Sequence, residues 1–132
     1  MIIDTNVYSA LDRGDSTAID ALHGQSNISL TIISVGELRF GFTNGNRQSQ
    51  NEFRLGKFLS QDKVGILFPT IKIAELYGQM AARCRQTGRV LSNNDLWIAA
   101  LANEADELLV TYDQDFAILA DILGDKLIIL SR

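Results

Sequence analysis

Four acidic residues in this 132-residue chain stand where a short apolar run gives way to the next element: Asp4, Glu37, Asp95 and Asp113. Asp4 follows Met1-Ile2-Ile3 and opens Asp4-Thr5-Asn6. Glu37 lies in Ser34-Val35-Gly36-Glu37-Leu38, just past the apolar stretch 28–33. Asp95 sits in Asn93-Asn94-Asp95-Leu96-Trp97, and Asp113 follows Leu108-Leu109-Val110-Thr111-Tyr112. Brought together, four such carboxylates would form an oxygen-only cage, whose ordinary use is to hold divalent metal for phosphodiester chemistry.

Each acid also has a plain structural reading. Ser34-x-x-Glu37 has the form of a capping box. Asp95 in a first helical turn is favoured by the helix dipole by about 0.3–1 kcal/mol. Asp4 suits an Asx-turn ahead of a helix, and Asp113 a polar turn with Gln114 and Asp115. Jointly these readings weaken, because two carboxylates about 5 Å apart repel by roughly 3 kcal/mol at an effective dielectric of 20. Several together without a cation would be destabilising or would take up protons. The hydroxyls of Thr5, Ser34 and Thr111 are placed to orient the carboxylates, as is Asn6 beside them. Asp115 reads as the cap of a helix from Phe116 onward, with an outer place at a metal site as the alternative.

The elements that must position these residues alternate. Residues 1–3, 28–33, 64–68, 108–110 and 127–130 read as short apolar strands. Between them, helices are expected over 6–11, 17–23, 34–42, 48–60, 70–87, 95–104 and 116–123, with Gly24 and Gly88 as stops. Residues 43–46, Thr-Asn-Gly-Asn, form the clearest turn. Apolar strands separated by helices predict an α/β fold, a central mostly parallel sheet of four to five short strands covered on both faces. One domain is expected over 1–132. Ligands gather at the carboxyl ends of such strands, the edge to which Asp4 and Asp113 belong.

Composition narrows the classes. One cysteine excludes a disulfide framework and a multi-cysteine zinc site and suits a reducing compartment. No apolar stretch approaches a membrane span, and Asp4 interrupts the first apolar run, so a cytoplasmic protein is expected. The net charge of −4 conceals an asymmetry: residues 39–89 carry nine of the twelve Lys and Arg against three acids, whereas both flanks are acidic. A basic middle could guide a polyanion toward an acidic, metal-filled pocket. His23 reads as a helix-end surface residue and Cys84 as core.

In the order and spacing of its motifs the chain resembles PIN-domain ribonucleases, and specifically VapC toxins of bacterial type II toxin–antitoxin pairs. Met1-Ile2-Ile3-Asp4-Thr5-Asn6 is similar to the family's opening strand, Ser34-Val35-Gly36-Glu37-Leu38 to its glutamate helix, Asn94-Asp95-Leu96-Trp97-Ile98-Ala99-Ala100 to the third motif, and Thr111-Tyr112-Asp113-Gln114-Asp115-Phe116 to the fourth. Leu91-Ser92-Asn93 departs from the proline-containing loop of many relatives. The resemblance implies a PIN-like fold and RNA cleavage with Mg²⁺, or Mn²⁺, held by Asp4, Asp95 and Asp113, with Glu37 on a second metal or the attacking water. It further implies a VapB-like antitoxin and a homodimer.

Arg39, Arg83, Arg85 and Arg89 are the expected RNA-binding residues, and Leu11, Phe40 and Phe42 are candidates for the antitoxin groove. Two other uses of the fold stand beside this one: a PIN-like nuclease in RNA maturation, and a PIN-like module that binds RNA or protein without cutting. A haloacid-dehalogenase-type phosphatase would need an acid where Asn6 stands.

Overall fold

Two adjacent residues show how the molecule is layered. In the computed structural model, which describes residues 1–89 and 91–132, Ile2 and Ile3 make up the whole of strand β1 (Ile2–Ile3), and both are fully buried. Side chains alternate across a strand, so Ile2 joins one hydrophobic cluster and Ile3 the other. A strand this short can be apolar throughout only when helices cover both of its faces.

Four more strands complete the sheet: β2 (Ile28–Thr31), β3 (Val64–Leu67), β4 (Leu109–Thr111) and β5 (Leu127–Ile129). Their order is β3-β2-β1-β4-β5, and every pairing is parallel. The expected α/β architecture is therefore present, with five strands. From β1 the chain builds outward through β2 and β3. It then crosses to the other side of β1 for β4 and β5, and the strand order reverses between β1 and β4. Their carboxyl ends open a crevice, the usual ligand position in such sheets.

One face carries α1 (Thr5–Asp12), α2 (Ser16–Leu22), α3 (Ile32–Thr43) and α4 (Gln48–Leu59), packed through Val7, Leu22, Leu38 and Leu55 onto Ile3, Leu30 and Val110. The other carries α5 (Ile71–Gln86), α6 (Asn93–Ala105) and α7 (Ala120–Leu123), packed through Met80, Ile98 and Leu123 onto Ile2 and Leu109. Helix α6 is buried along a run from Ile98 to Ala102, three of whose five residues are alanines, so sheet and α5 can both approach closely. Tyr77 of α5 stacks on Trp97 of α6 with ring centroids 4.3 Å apart. Gly88 closes α5 at φ 72°, a left-handed conformation that suits glycine, as its place in the sequence predicts.

Most element ends shift by one or two residues from the sequence reading, and three differences affect the residues of the crevice. Strand β2 stops at Thr31, because the Thr31 hydroxyl accepts the Ser34 N–H (3.1 Å) and starts α3 at Ile32, two residues early. The β-branched pair Ile32-Ile33 is thus helical, tertiary packing overriding strand propensity. The expected helix over 116–123 is mostly a 3-10 helix (Gln114–Leu119) followed by the short α7. Its cap is Asp113 rather than Asp115: Asp113 Oδ1 accepts the Asp115 N–H at 2.9 Å.

Candidate active site

Asp4 occupies the end of β1 as the N-cap of α1, its Oδ1 accepting the Thr5 N–H at 2.8 Å. It is only 3% exposed, an unusual position for a carboxylate without a cationic partner. Its Oδ2 accepts the Thr111 hydroxyl at 2.7 Å, which ties the end of β1 to the end of β4 across the crevice. The same Thr111 oxygen accepts the Asp113 N–H at 2.9 Å and the Asn6 amide at 3.5 Å. Asn6 Oδ1 in turn accepts the Tyr112 N–H at 3.1 Å. One buried hydroxyl therefore fixes Asp4 and the backbone that carries Asp113.

Glu37 arrives from α3. Because that helix starts at Ile32, Glu37 falls in its second turn, not its first, and makes no capping box with Ser34. Its Oε1 accepts the Thr5 hydroxyl at 2.6 Å and its Oε2 the Asn94 amide at 3.2 Å. Ser34, expected to orient the acids, is fully buried and bonded to Thr31 instead. Asp95 lies in the first turn of α6, whose cap is Ser92, with the Asp95 N–H donating to Ser92 Oγ at 3.1 Å. The proline-free loop residue Ser92 is thus the residue that starts the helix carrying Asp95.

These four acids, from four separate elements, line a single cavity of about 450 Å³ together with Thr5, Asn6, Ser9, Arg13, Ser92 and Arg132. Their mutual influence is visible in their acidity. Burial, and then the neighbouring charges of Asp4, Asp113 and Glu37, push Asp95 up to about 6, against a partial lowering by Ser92. Burial likewise raises Asp4, the bonds from Thr111 and Thr5 hold it back, and Glu37 and Asp113 add to the rise. Such a pocket favours either protons or a cation.

Among the described residues, the lining contains no histidine or cysteine. Among the described residues no group of three or more His, Cys, Asp or Glu side chains converges tightly enough to enclose an ion. An open, oxygen-only donor set of this kind fits a hard divalent cation that keeps much of its water, and not tetrahedral zinc.

Asp115 is exposed and lies outside the lining, as do Arg39, Arg83, Arg85 and Arg89. Arg39 pairs with Glu52 at 3.2 Å, since two residues along a helix from Glu37 is nearly the opposite face. Arg83 pairs with Asp121 of α7. The basic residues that do line the cavity, Arg13 and Arg132, belong to the acidic flanks of the sequence. Asn94 was also missed as a contact, although it sits in the third motif. Its side-chain bond spans 57 residues and leaves no local signal.

A parallel sheet with an acidic crevice at its strand-order reversal defines an α/β protein with a carboxylate-lined site. The sequence matches the PIN domain family over residues 1–122, and the chain belongs to that family. It is 31% identical over 114 residues to ribonuclease VapC2 of Rickettsia felis, covering 83% of this chain and 84% of that protein. It is 28% identical over 126 residues to ribonuclease VapC1 of Haemophilus influenzae, covering 92% of each.

Among solved structures, VapBC2 from Rickettsia felis bound to a promoter DNA fragment superposes with a TM-score of 0.80 at 26% identity, covering 98% of this chain and 96% of that one. VapBC-1 from nontypeable Haemophilus influenzae gives 0.75 at 26% identity, with 91% and 92% covered.

Proposed function

We propose that this chain is a metal-dependent endoribonuclease, the toxin half of a toxin–antitoxin pair of the VapBC kind. The observation that carries the reading is the meeting of Asp4, Glu37, Asp95 and Asp113 in one pocket at the β1–β4 crevice. Relatives that bear the name ribonuclease VapC support the choice of RNA.

Asp4, Asp95 and Asp113 would hold Mg²⁺ or Mn²⁺, with Glu37 beside them. The bound cation supplies neutralisation of phosphate charge and a lowered pKa for coordinated water. The protein's own part is positioning. Thr111 and the Thr5 N–H fix both oxygens of Asp4, leaving each oxygen a further lone pair directed elsewhere. Thr5 and Asn94 hold Glu37 from two sides, so its remaining lone pairs can orient an attacking water and accept its proton. Ser92 starts α6 so that Asp95 faces the same space.

The antitoxin would be met by a different surface. A groove of about 470 Å³ between α1, α2 and α4, lined by Tyr8, Leu11, Ile19, Leu22 and Phe58, offers apolar contacts to a partner. Leu11 lines this groove, and Phe40 and Phe42 lie outside its lining. A homodimer has an available surface in Phe68 and Ile71, 60% and 82% exposed beside the start of α5. Among the described residues no helix is long and apolar enough to cross a membrane.

The test is cleavage of RNA by the purified chain with Mg²⁺, with EDTA, and as the Asp4→Asn variant. Cleavage with Mg²⁺ alone is expected. Cleavage that persists in EDTA and in Asp4→Asn would overturn the reading.

A further inference from the structure

The acidic pocket poses an electrostatic difficulty for any nucleic acid. A phosphodiester entering it meets four carboxylates, and phosphates on either side of the scissile one meet the same field. Among the described residues, the basic side chains in the lining are Arg13 and Arg132. Both are exposed, and neither is among the arginines engaged in ion pairs in the described residues.

Their placement has a specific cause. Beyond β5 the chain stays alongside β4, with the Leu130 N–H donating to the Thr111 carbonyl at 2.7 Å. This delivers the Arg132 guanidinium onto the Tyr112 ring, 4.5 Å from its centroid. A guanidinium held over an aromatic ring by cation–π attraction keeps N–H donors for a further partner. Tyr112 is itself immobilised: its N–H is held by Asn6, and its hydroxyl donates to Asp15 at 3.0 Å. Arg13, the C-cap of α1, is two residues from Asp15, to which the Tyr112 hydroxyl donates. Both arginines line the pocket that holds the four carboxylates.

We propose that Arg13 and Arg132, the latter set on the Tyr112 ring, form a clamp for a phosphate flanking the scissile bond, and so fix the direction in which an RNA strand crosses the carboxylates. A planar fork with free donors matches phosphate geometry, and a pair of forks around one fixed ring holds one phosphate from two sides. The inference rests on the nuclease reading, but it can fail separately.

Two measurements test it: steady-state cleavage of a short single-stranded RNA, and anisotropy binding of the same RNA to Asp4→Asn protein. Arg13→Ala and Arg132→Ala should each raise KM and weaken binding about 10-fold, with kcat changed by less than about 3-fold. Each should also flatten the slope of log binding constant against log salt by about 0.7, one single-strand phosphate contact. Arg132→Lys should restore part of the loss. Tyr112→Leu should mimic Arg132→Ala, while Tyr112→Phe, which keeps the ring, should bind more tightly than Tyr112→Leu. Arg47→Ala, the same charge change in the loop before α4, controls for bulk charge.

If the unaltered chain cleaves RNA and both arginine variants keep its KM and salt slope, the clamp is wrong and the nuclease reading stands. If the chain binds RNA through the arginines yet never cuts it, the clamp stands and the nuclease reading falls. Absence of both cleavage and binding would overturn both.

Discussion

Two cavities of nearly equal size lie at opposite edges of the same sheet, and they could hardly differ more. The one of about 450 Å³ opens at the carboxyl ends of β1 and β4 and is lined by Asp4, Glu37, Asp95 and Asp113. The one of about 470 Å³ opens near the amino ends of β2 and β3, between Leu11, Ile19, Leu22, Phe58 and Lys63. Size alone would rank the second first. Chemistry reverses the order, because the first gathers like charges that are unfavourable without a ligand, whereas the second gathers apolar side chains beside an Asp12–Arg54 ion pair, stable by themselves. Proteins keep unfavourable arrangements where a ligand offsets them, and the parallel-sheet crevice is where the topology makes room for one.

The sharpest way to break this contrast is to remove one acid. Asp4→Asn, Asp95→Asn or Asp113→Asn should lower RNA cleavage at least about 100-fold with the fold retained by circular dichroism. Phe58→Ala in the other cavity should leave the rate within about twofold and cost about 1–3 kcal/mol of stability, since it loses the edge-to-face contact with Tyr8 at 5.1 Å. Comparable loss of activity from both cavities would dissolve the distinction.

Thr111→Val comes next. It keeps shape but removes the hydroxyl that serves Asp4, Asp113 and Asn6, so activity should drop about 10–100-fold. Stability should fall by about 1–3 kcal/mol, read by urea titration, because the Asp113 N–H loses its acceptor.

The pH dependence separates the acidic pocket from the rest of the molecule. Asp95 is raised to about 6 from 3.8, so between those values the folded protein binds more protons than the unfolded chain. Stability without divalent cation should therefore fall as pH rises through this window, with the full penalty above about 6. For a partly open site, screening limits this to about 1–2 kcal/mol. Asp15 has the opposite sign: bonds from Ala18, Tyr112 and Thr17 hold it below 3.8. Its contribution is present above 3.8 and is lost only as pH falls through its lower folded value, so it is constant from pH 5 to 8. Thermal melts in EDTA should accordingly show higher stability at pH 5 than at pH 7.5, and Asp95→Asn or added Mg²⁺ should flatten the difference. A melt that is flat in EDTA would mean that the carboxylates do not strain one another.

The smallest effect belongs to the exposed Arg39–Glu52 pair. Arg39→Ala should change stability by less than about 1 kcal/mol, and the change should shrink in high salt.

How far the sequence could be read depended on whether a signal was local. Periodicity located the elements, since apolar strands such as Ile28–Thr31 and helices such as Ile71–Gln86 carry their own patterns. It misplaced the start of α3 because Thr31 and Ser34 both have cap chemistry, and only the packing of Val35 and Leu38 chose between them. Asp113 and Asp115 competed for a cap in the same way, and Asp113 took it.

The amino-acid sequence by itself determined the kinds of groups available, four acids at the ends of elements without a histidine or cysteine among them, and hence the class of chemistry. Tertiary structure alone decided which other groups meet them. Thr111 reaches Asp4 across 107 residues, Asn94 reaches Glu37 across 57, and Arg132 reaches a pocket whose first acid is Asp4. Contacts between distant residues leave no periodicity in the chain. They exist because a parallel sheet brings the ends of strands far apart in sequence to one edge, where a basic residue from an acidic segment can matter more than nine from a basic one.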